Sequence, residues 1–435
     1  MSELEQRWFN GGSGVSRRRF LQLTAGGLAW LAAGRSLAFA APYRVGVGKQ
    51  GDPYAATMRA VDATGEWPSA AIDGRPVVIK PNLVFPMTAD TGAVTDPEVV
   101  RALVDLSLEA GAVHVSIVEG GFGGANFSPC GYDFFSSYDA RVTLVDLNEE
   151  PLELAKVPGG LAYHRIYMHS LLFADDVVFI SAAKLKTHFH THATLSMKNL
   201  IGLAPIEKYR EEADEWRWVM HDRGISQVIV DLNLLRPVDF AVVDGVWAME
   251  GQGPVEGDPV KMDIVVAGRN ALAVDRACLW ATILPQRGVK HLSYAARKGL
   301  GPAGLDGVEV VGDPVTPRPF AWPTNLPPIL EYPSALPKLF SPGSGQETLV
   351  ISRLAFPCQV RIEIVRTSEL TTEVIPIRML RDWESRPSGF DVLMWDGRDD
   401  SGMVVAPGRY TMRVKAKYGD EGTEASATGW VKVLG

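Results

Sequence analysis

Cysteine is scarce in this chain: three in 435 residues, Cys130, Cys278 and Cys358, far apart. A cubane iron-sulfur cluster or a Cys-rich zinc knot needs four closely spaced thiolates, so neither is encoded. Cys130 and Cys278 could pair in an oxidising compartment, but each cysteine reads best as a buried free thiol. Also missing are a Gly-x-Ser-x-Gly elbow and a His-Glu-x-x-His pair, which removes serine hydrolysis and zincin-type proteolysis. There is no basic stripe, and the net charge is -8; phosphate backbones are bound by clustered cations, so no nucleic-acid partner is expected. No apolar run is a good membrane span. The segment from Leu21 to Ala33 holds Gly26 and Gly27, ends near Arg35, and falls short of the roughly 20 apolar residues a span requires.

What is present begins with an address. Ser16-Arg-Arg-Arg-Phe-Leu21 matches the twin-arginine export pattern, and Ala38-Phe-Ala40 supplies a small-residue cleavage site before Ala41. Residues 1–41 are thus expected to be a signal peptide handed to the twin-arginine machinery, which delivers a folded protein to the periplasm or beyond. Folded export often follows cofactor insertion, which raises the odds of a cofactor of unknown identity, a transition metal being one candidate.

A length of 435 residues with 46% hydrophobic content supports two or more domains with real cores. Over 42–313, strand-like runs (Val77–Lys80, Val113–Val118, Val142–Leu147, Asp176–Ala182, Phe240–Asp244, Met262–Ala267, Val308–Val311) alternate with helix-like ones. The latter are Pro53–Ala63, Pro97–Ala110, Gly224–Leu235 and Ala271–Thr282. This alternation predicts an α/β domain with a mainly parallel sheet and helices on both faces. Residues 314–345 carry prolines too densely for a helix or a central strand and read as a semi-rigid linker. From 346 to 435 short alternating runs predict a small all-β sandwich of about seven strands. A cut at Gln346 should then leave the cleft domain folded.

The chemistry is concentrated in residues 183–202. Period-two alternation predicts Lys184, Lys186, His188, His190 and His192 on one strand face, beyond the carboxyl end of a buried strand, where open α/β sheets usually bind ligands. Two amines with three imidazoles suit either a small anion or a late transition metal, with His188, His190, His192 and His221 as the candidate ligands. Lys198 and Asn199 sit within an apolar continuation, and a buried ammonium needs a partner. Lys80 and Asn82 close another strand, and Lys80 is a candidate anion clamp. Glu119, Gly120 and Gly121 begin a glycine-rich turn whose amides could meet a phosphate or carboxylate. In this reading Lys184, Lys186 and Lys198 neutralise an anion, His188 and His221 move protons or bind metal, and Asp244 or Glu250 supplies a carboxylate. Isomerase-like or oxidoreductase-like chemistry follows as the expectation. The alternative is a non-catalytic extracytoplasmic binding protein whose sandwich docks to an envelope partner.

Several blocks together carry a family resemblance: Ile79-Lys-Pro-Asn82, Thr95-Asp-Pro-Glu98, Glu119-Gly-Gly121, Lys184-Leu-Lys-Thr-His188, Thr194-Leu-Ser-Met-Lys-Asn-Leu-Ile-Gly202, Asp244-Gly-Val-Trp-Ala-Met-Glu250 and Ala273-Val-Asp275. Across roughly Pro42 to Gly312 the chain resembles the exported branch of the domain-of-unknown-function family 362. Some relatives append an iron-sulfur ferredoxin domain; this chain lacks the cysteines for one. The segment Trp395-Asp-Gly-Arg-Asp-Asp-Ser-Gly-Met-Val-Val-Ala-Pro-Gly-Arg-Tyr410 resembles the immunoglobulin-like module of flagellar hook-capping proteins, which implies an accessory domain.

Overall fold

Side chains write the helix starts. Asp52 and Asp96 each sit in extended backbone before a proline and accept a hydrogen bond from an amide of the first turn, at 2.9 Å from Ala55 and 2.8 Å from Glu98. They open helices α1 (Pro53–Thr64) and α2 (Pro97–Glu109). The other helices of eight or more residues among the described residues are α3 (Ile225–Leu235), α4 (Ala271–Ala281), capped by Asn270, and α5 (Lys290–Arg297). A computed structural model describes residues 41–174, 176–210, 217–286, 288–324, 329–367, 374–418 and 423–435. The export motif and cleavage site lie outside the described residues.

The strands up to residue 312 are β1 (Tyr43–Lys49), β2 (Pro76–Pro81), β3 (His114–Glu119), β4 (Val142–Asp146), β5 (Leu152–Lys156), β6 (Arg165–His169), β7 (Val178–His188), β8 (His192–Thr194), β9 (Phe240–Glu250), β10 (Asp258–Gly268) and β11 (Val308–Gly312). Apart from the β5–β6 hairpin they form one sheet in the order β11-β1-β10-β9-β7-β2-β3-β4, with β8 on the end of β7. Its pairs from β9 through β7, β2 and β3 to β4 are parallel, whereas β10 is antiparallel to both of its neighbours. Alternate residues of β9 join different cores: Phe240 and Val242 pack with α1 and α2, and Ala241 and Val243 with α3 and α4.

Two strands outrun their sequence readings. β7 continues past Ala182 to His188, and β9 past Asp244 to Glu250. Lys184, Lys186 and Asp244 are therefore strand residues inside the sheet, not loop residues beyond it. The alternation from Lys184 also stops early. The chain turns after His188, His192 takes φ +67°, and β8 folds back so that His188 and His192 face each other across an antiparallel pair.

The C-terminal strands are β12 (Ile329–Leu336), β13 (Leu339–Phe340), β14 (Thr348–Leu354), β15 (Cys358–Thr367), β16 (Val374–Arg386), β17 (Gly389–Trp395), β18 (Gly408–Tyr418) and β19 (Thr423–Val433). They make a three-stranded sheet β12-β14-β17 and a five-stranded sheet β13-β19-β18-β15-β16, with nearly all pairs antiparallel. Both sheets contribute to one core, in which fully buried Trp395 meets Phe340 and Tyr410 edge-on and donates from its indole to the Arg398 carbonyl at 3.0 Å. The proline-rich stretch is thus partly strand. β12 holds Pro333 at a sheet edge, where a missing amide donor costs no ladder bond.

Residues 42–435 form one compact unit. β19 packs on the segment Trp218–Asp222: Thr428 donates to the Arg223 carbonyl, and Ser426 donates to the His221 carbonyl at 3.3 Å. Arg409 donates to the Leu161 carbonyl at 3.0 Å. The C-terminal sheets therefore brace the α/β part. Removal of residues from Gln346 onward is expected to lower the melting temperature of the remainder; an unchanged melting temperature would establish independent folding.

Candidate functional site

β2 and β3 are parallel neighbours, and their carboxyl ends deliver Lys80 and Glu119 side by side. The Lys80 ammonium donates to Glu119 Oε1 at 2.6 Å and to the Pro81 carbonyl at 2.9 Å, with both charged side chains almost fully buried. Burial pushes Lys80 below the ordinary lysine value, and Glu119 opposes that shift. Neither carboxylate oxygen of Glu119 is idle. Oε1 also accepts from the Gly120 amide at 2.8 Å, and Oε2 accepts from the Leu83 amide at 2.7 Å.

This pair lies on the wall of a cavity of about 80 Å³ lined also by Asn82, Gly120, Gly121, Lys186, His188, Thr194, Lys198, Asn199, Gly202, Arg217 and His221. Such a space holds a few waters or a small anion. Asn199 enters from the one-turn helix Ser196–Asn199, and its amide donates to the Lys80 carbonyl at 2.9 Å and to Ser181 Oγ at 3.1 Å. That helix is anchored from α4. Buried Asp275 accepts from the Ser196 and Met197 amides at 2.8 and 3.0 Å, while burial raises its carboxyl to about 7. Thr95, just before α2, receives the Asn82 amide at 2.9 Å and donates to the Ala182 carbonyl at 2.8 Å.

Cations dominate the cavity. Lys186 is satisfied by the carbonyls of Ala93 at 2.5 Å and Pro254 at 3.2 Å; burial and then the neighbouring Lys198 and Lys184 push it well below the usual lysine value. Arg217 donates to the carbonyls of Ala204 at 2.5 Å and of Gly120, and burial lowers it to about 10. Lys198 is different. It lines the cavity with no hydrogen-bond or ion-pair partner among the described residues, and burial lowers it to about 7.

The imidazoles are polarised by obligate partners. Nδ1 of His188 accepts from the His190 backbone amide at 3.0 Å, so a neutral ring carries its hydrogen on Nε2; burial holds this ring well below the usual histidine value. Nδ1 of His221 lies 3.0 Å from the Arg217 carbonyl, which can only accept, so a neutral His221 carries its hydrogen on Nδ1 and a lone pair on Nε2.

Several expected site residues stand elsewhere. Lys184 and Asp244 form a fully buried pair at 2.8 Å, and Asp244 also accepts from the Asp96 and Val246 amides at 2.9 and 3.0 Å. Glu250 accepts from the Ala321 amide at 2.9 Å and lies 3.5 Å from Arg318. Among the described residues the carboxylate at the cavity is Glu119, not Asp244 or Glu250, because β9 continues and carries both acids away. His190 lies between His188 and His221 with its ring tilted to both, centroids 6.2 and 5.3 Å away, whereas His192 packs edge-on against Trp322 at 5.2 Å. Among the described residues no group of three or more His, Cys, Asp or Glu could hold a metal ion. His188 also fits such a role poorly, since a metal-binding imidazole normally donates from its second nitrogen and here that nitrogen accepts. Cys130 and Cys278 are buried free thiols, and Cys358 is free and half-buried.

Sequence reasoning missed Arg217, Thr194, Thr95 and Asp275 as contributors. Three of these four lie in quoted motif blocks, but nothing local marks Arg217, which reaches the cavity through tertiary packing alone.

Two predictions follow from this packing. A Cβ on Gly202 would sit 2.5 Å from Glu119 Oε1 and 2.7 Å from the Lys80 ammonium, so Gly202→Ala is expected to cost about 1–3 kcal/mol in denaturant unfolding. Glu119→Gln leaves a buried ammonium without its counter-charge and should cost about 3–5 kcal/mol, read by the same measurement.

The family model for Domain of unknown function (DUF362) matches residues 77–280. The chain is 25% identical over 243 residues to the "Thylakoid-associated protein sll1697" of Synechocystis sp., covering 54% of this chain and 71% of that one. Against the solved structure of Pseudomonas fluorescens alkylpurine DNA glycosylase AlkC bound to DNA, identity is 12%, with 24% of this chain and 30% of that chain covered and a TM-score of 0.16. The matched segment 77–280 contains every cavity residue named above, so this chain's site lies within its similarity to that domain family.

Proposed function

We propose that the cavity at the carboxyl ends of β2 and β3 binds a small anion and that the protein acts on it by proton transfer, in isomerase-like or oxidoreductase-like chemistry. Lys198 carries this reading: its ammonium has no partner among the described residues, and a largely desolvated cation on a cation-rich cavity is stabilised by an anion placed there. Lys80 and Glu119 neutralise each other, which leaves Lys186, Lys198 and Arg217 as the cationic groups on the wall without a carboxylate partner among the described residues. Neutral His188 offers Nε2–H as a hydrogen-bond donor that polarises an oxygen of the anion, and His221, with its hydrogen on Nδ1, is the candidate base on the same cavity. Lys186, tied to two carbonyls, acts by its field and by shaping the wall.

We also propose the rest of the organisation in these terms: twin-arginine export to the periplasm, helices covering both sheet faces, and an immunoglobulin-like C-terminal sandwich. The division of helices between two cores and the shared core of the C-terminal sheets support the last two. Docking of the sandwich to an envelope partner belongs to the alternative, non-catalytic reading.

Titration of the purified protein with acetate and inorganic phosphate by calorimetry tests the anion site. An anion stabilises the Lys198 ammonium, so binding near pH 7 is expected to take up a proton. Affinity should fall by up to about tenfold per pH unit above 7, where the free amine has lost its charge, and level off below. Lys198→Met should abolish binding while preserving the melting temperature. Unchanged affinity in that variant would refute the site.

A further inference from the structure

The anion-binding reading leaves part of the cavity unexplained. A site built only for a fully deprotonated anion needs donors alone, yet Asn82, on the wall of this cavity, also holds a buried acceptor with no partner among the described residues. The Lys80 carbonyl can only accept, so the Asn199 amide must turn its NH2 toward it, and Asn199 Oδ1 is left facing Asn82. Asn82 therefore donates its own NH2 to Asn199 Oδ1 at 3.1 Å. The Asn82 orientation is thereby decided, and its buried Oδ1 has no hydrogen-bond partner among the described residues. Thr194 Oγ1, on the same cavity, is likewise buried and unpartnered. A buried acceptor left unmade costs about 1–3 kcal/mol, which a ligand bearing a donor recovers.

We propose that the cavity selects a small oxyanion carrying its own O–H group, with the negative oxygen at Lys198 and the hydroxyl donating to Asn82 Oδ1. An ammonium donor suits the place less well, because Lys80, Lys198 and Arg217 repel it. Thr194, able to donate or accept, serves either part of the ligand. Two sources share this chemistry: a hydroxy-carboxylate, or an inorganic oxyacid that keeps one proton. This inference rests on the anion-binding reading and refines it.

Calorimetry on the full chain just below neutral pH, with paired ligands, separates the outcomes. Glycolate against acetate differs by one hydroxyl, and phosphate against sulfate differs by a retained proton. Glycolate over acetate, phosphate over sulfate, or both, by roughly tenfold, is the expected result, and the pair that discriminates identifies the source. The phosphate preference would run against sulfate's greater charge, so it cannot come from simple attraction. Asn82→Leu should erase the preference; the wild-type ratios decide the matter even if that variant folds poorly. Anions bound without discrimination in either pair overturn the hydroxyl requirement and leave the anion site standing, whereas no anion binding overturns both.

Discussion

Charge taken out of water has to be answered, and the structure is organised by how each buried charge is answered. Lys184 is met by Asp244, Lys80 by Glu119, Lys186 by two carbonyls, Asp275 by two amides and Arg217 by carbonyls of the loops it joins. Each answer ties segments far apart in sequence, so the same contacts that lower the cost of burial also set the shape of the cavity. Lys198 is the exception among the described residues, and in the proposed reading an anion supplies its missing partner.

The quoted motif blocks take on distinct meanings in this light. Thr95-Asp-Pro-Glu98 begins a helix, but its threonine also holds the Asn82 amide and its Asp96 amide reaches Asp244. Ala273-Val-Asp275 belongs to a helix remote in sequence from the site, and its carboxylate caps the one-turn helix that presents Lys198 and Asn199. A polar residue inside an apolar block served here as scaffold more often than as reagent. The brace from β19 adds the C-terminal sheets to the scaffold, since it bears on the segment that carries His221.

Much of the α/β order was legible in the residues. The helices from Pro53 and Pro97 begin, and the strands from Val77 and Phe240 lie, where the residue patterns put them. The strand ends were not legible, for a physical reason. Polar residues such as Lys184 and Asp244 normally signal departure from a core, but they neutralise each other here, so both strands continue through them. The His-rich run misled in the same manner: alternation implied one long face, while the turn after His188 folded half of it back.

By itself the sequence determined the alternation of strands and helices, the β-rich end, the absence of clustered thiolates, and a set of lysines and histidines dense enough to be a site. Tertiary structure alone decided which of those charges pair with each other and which face the cavity. Pairing depends on distances of a few ångströms between segments tens to hundreds of residues apart, and no local pattern of residues encodes those distances.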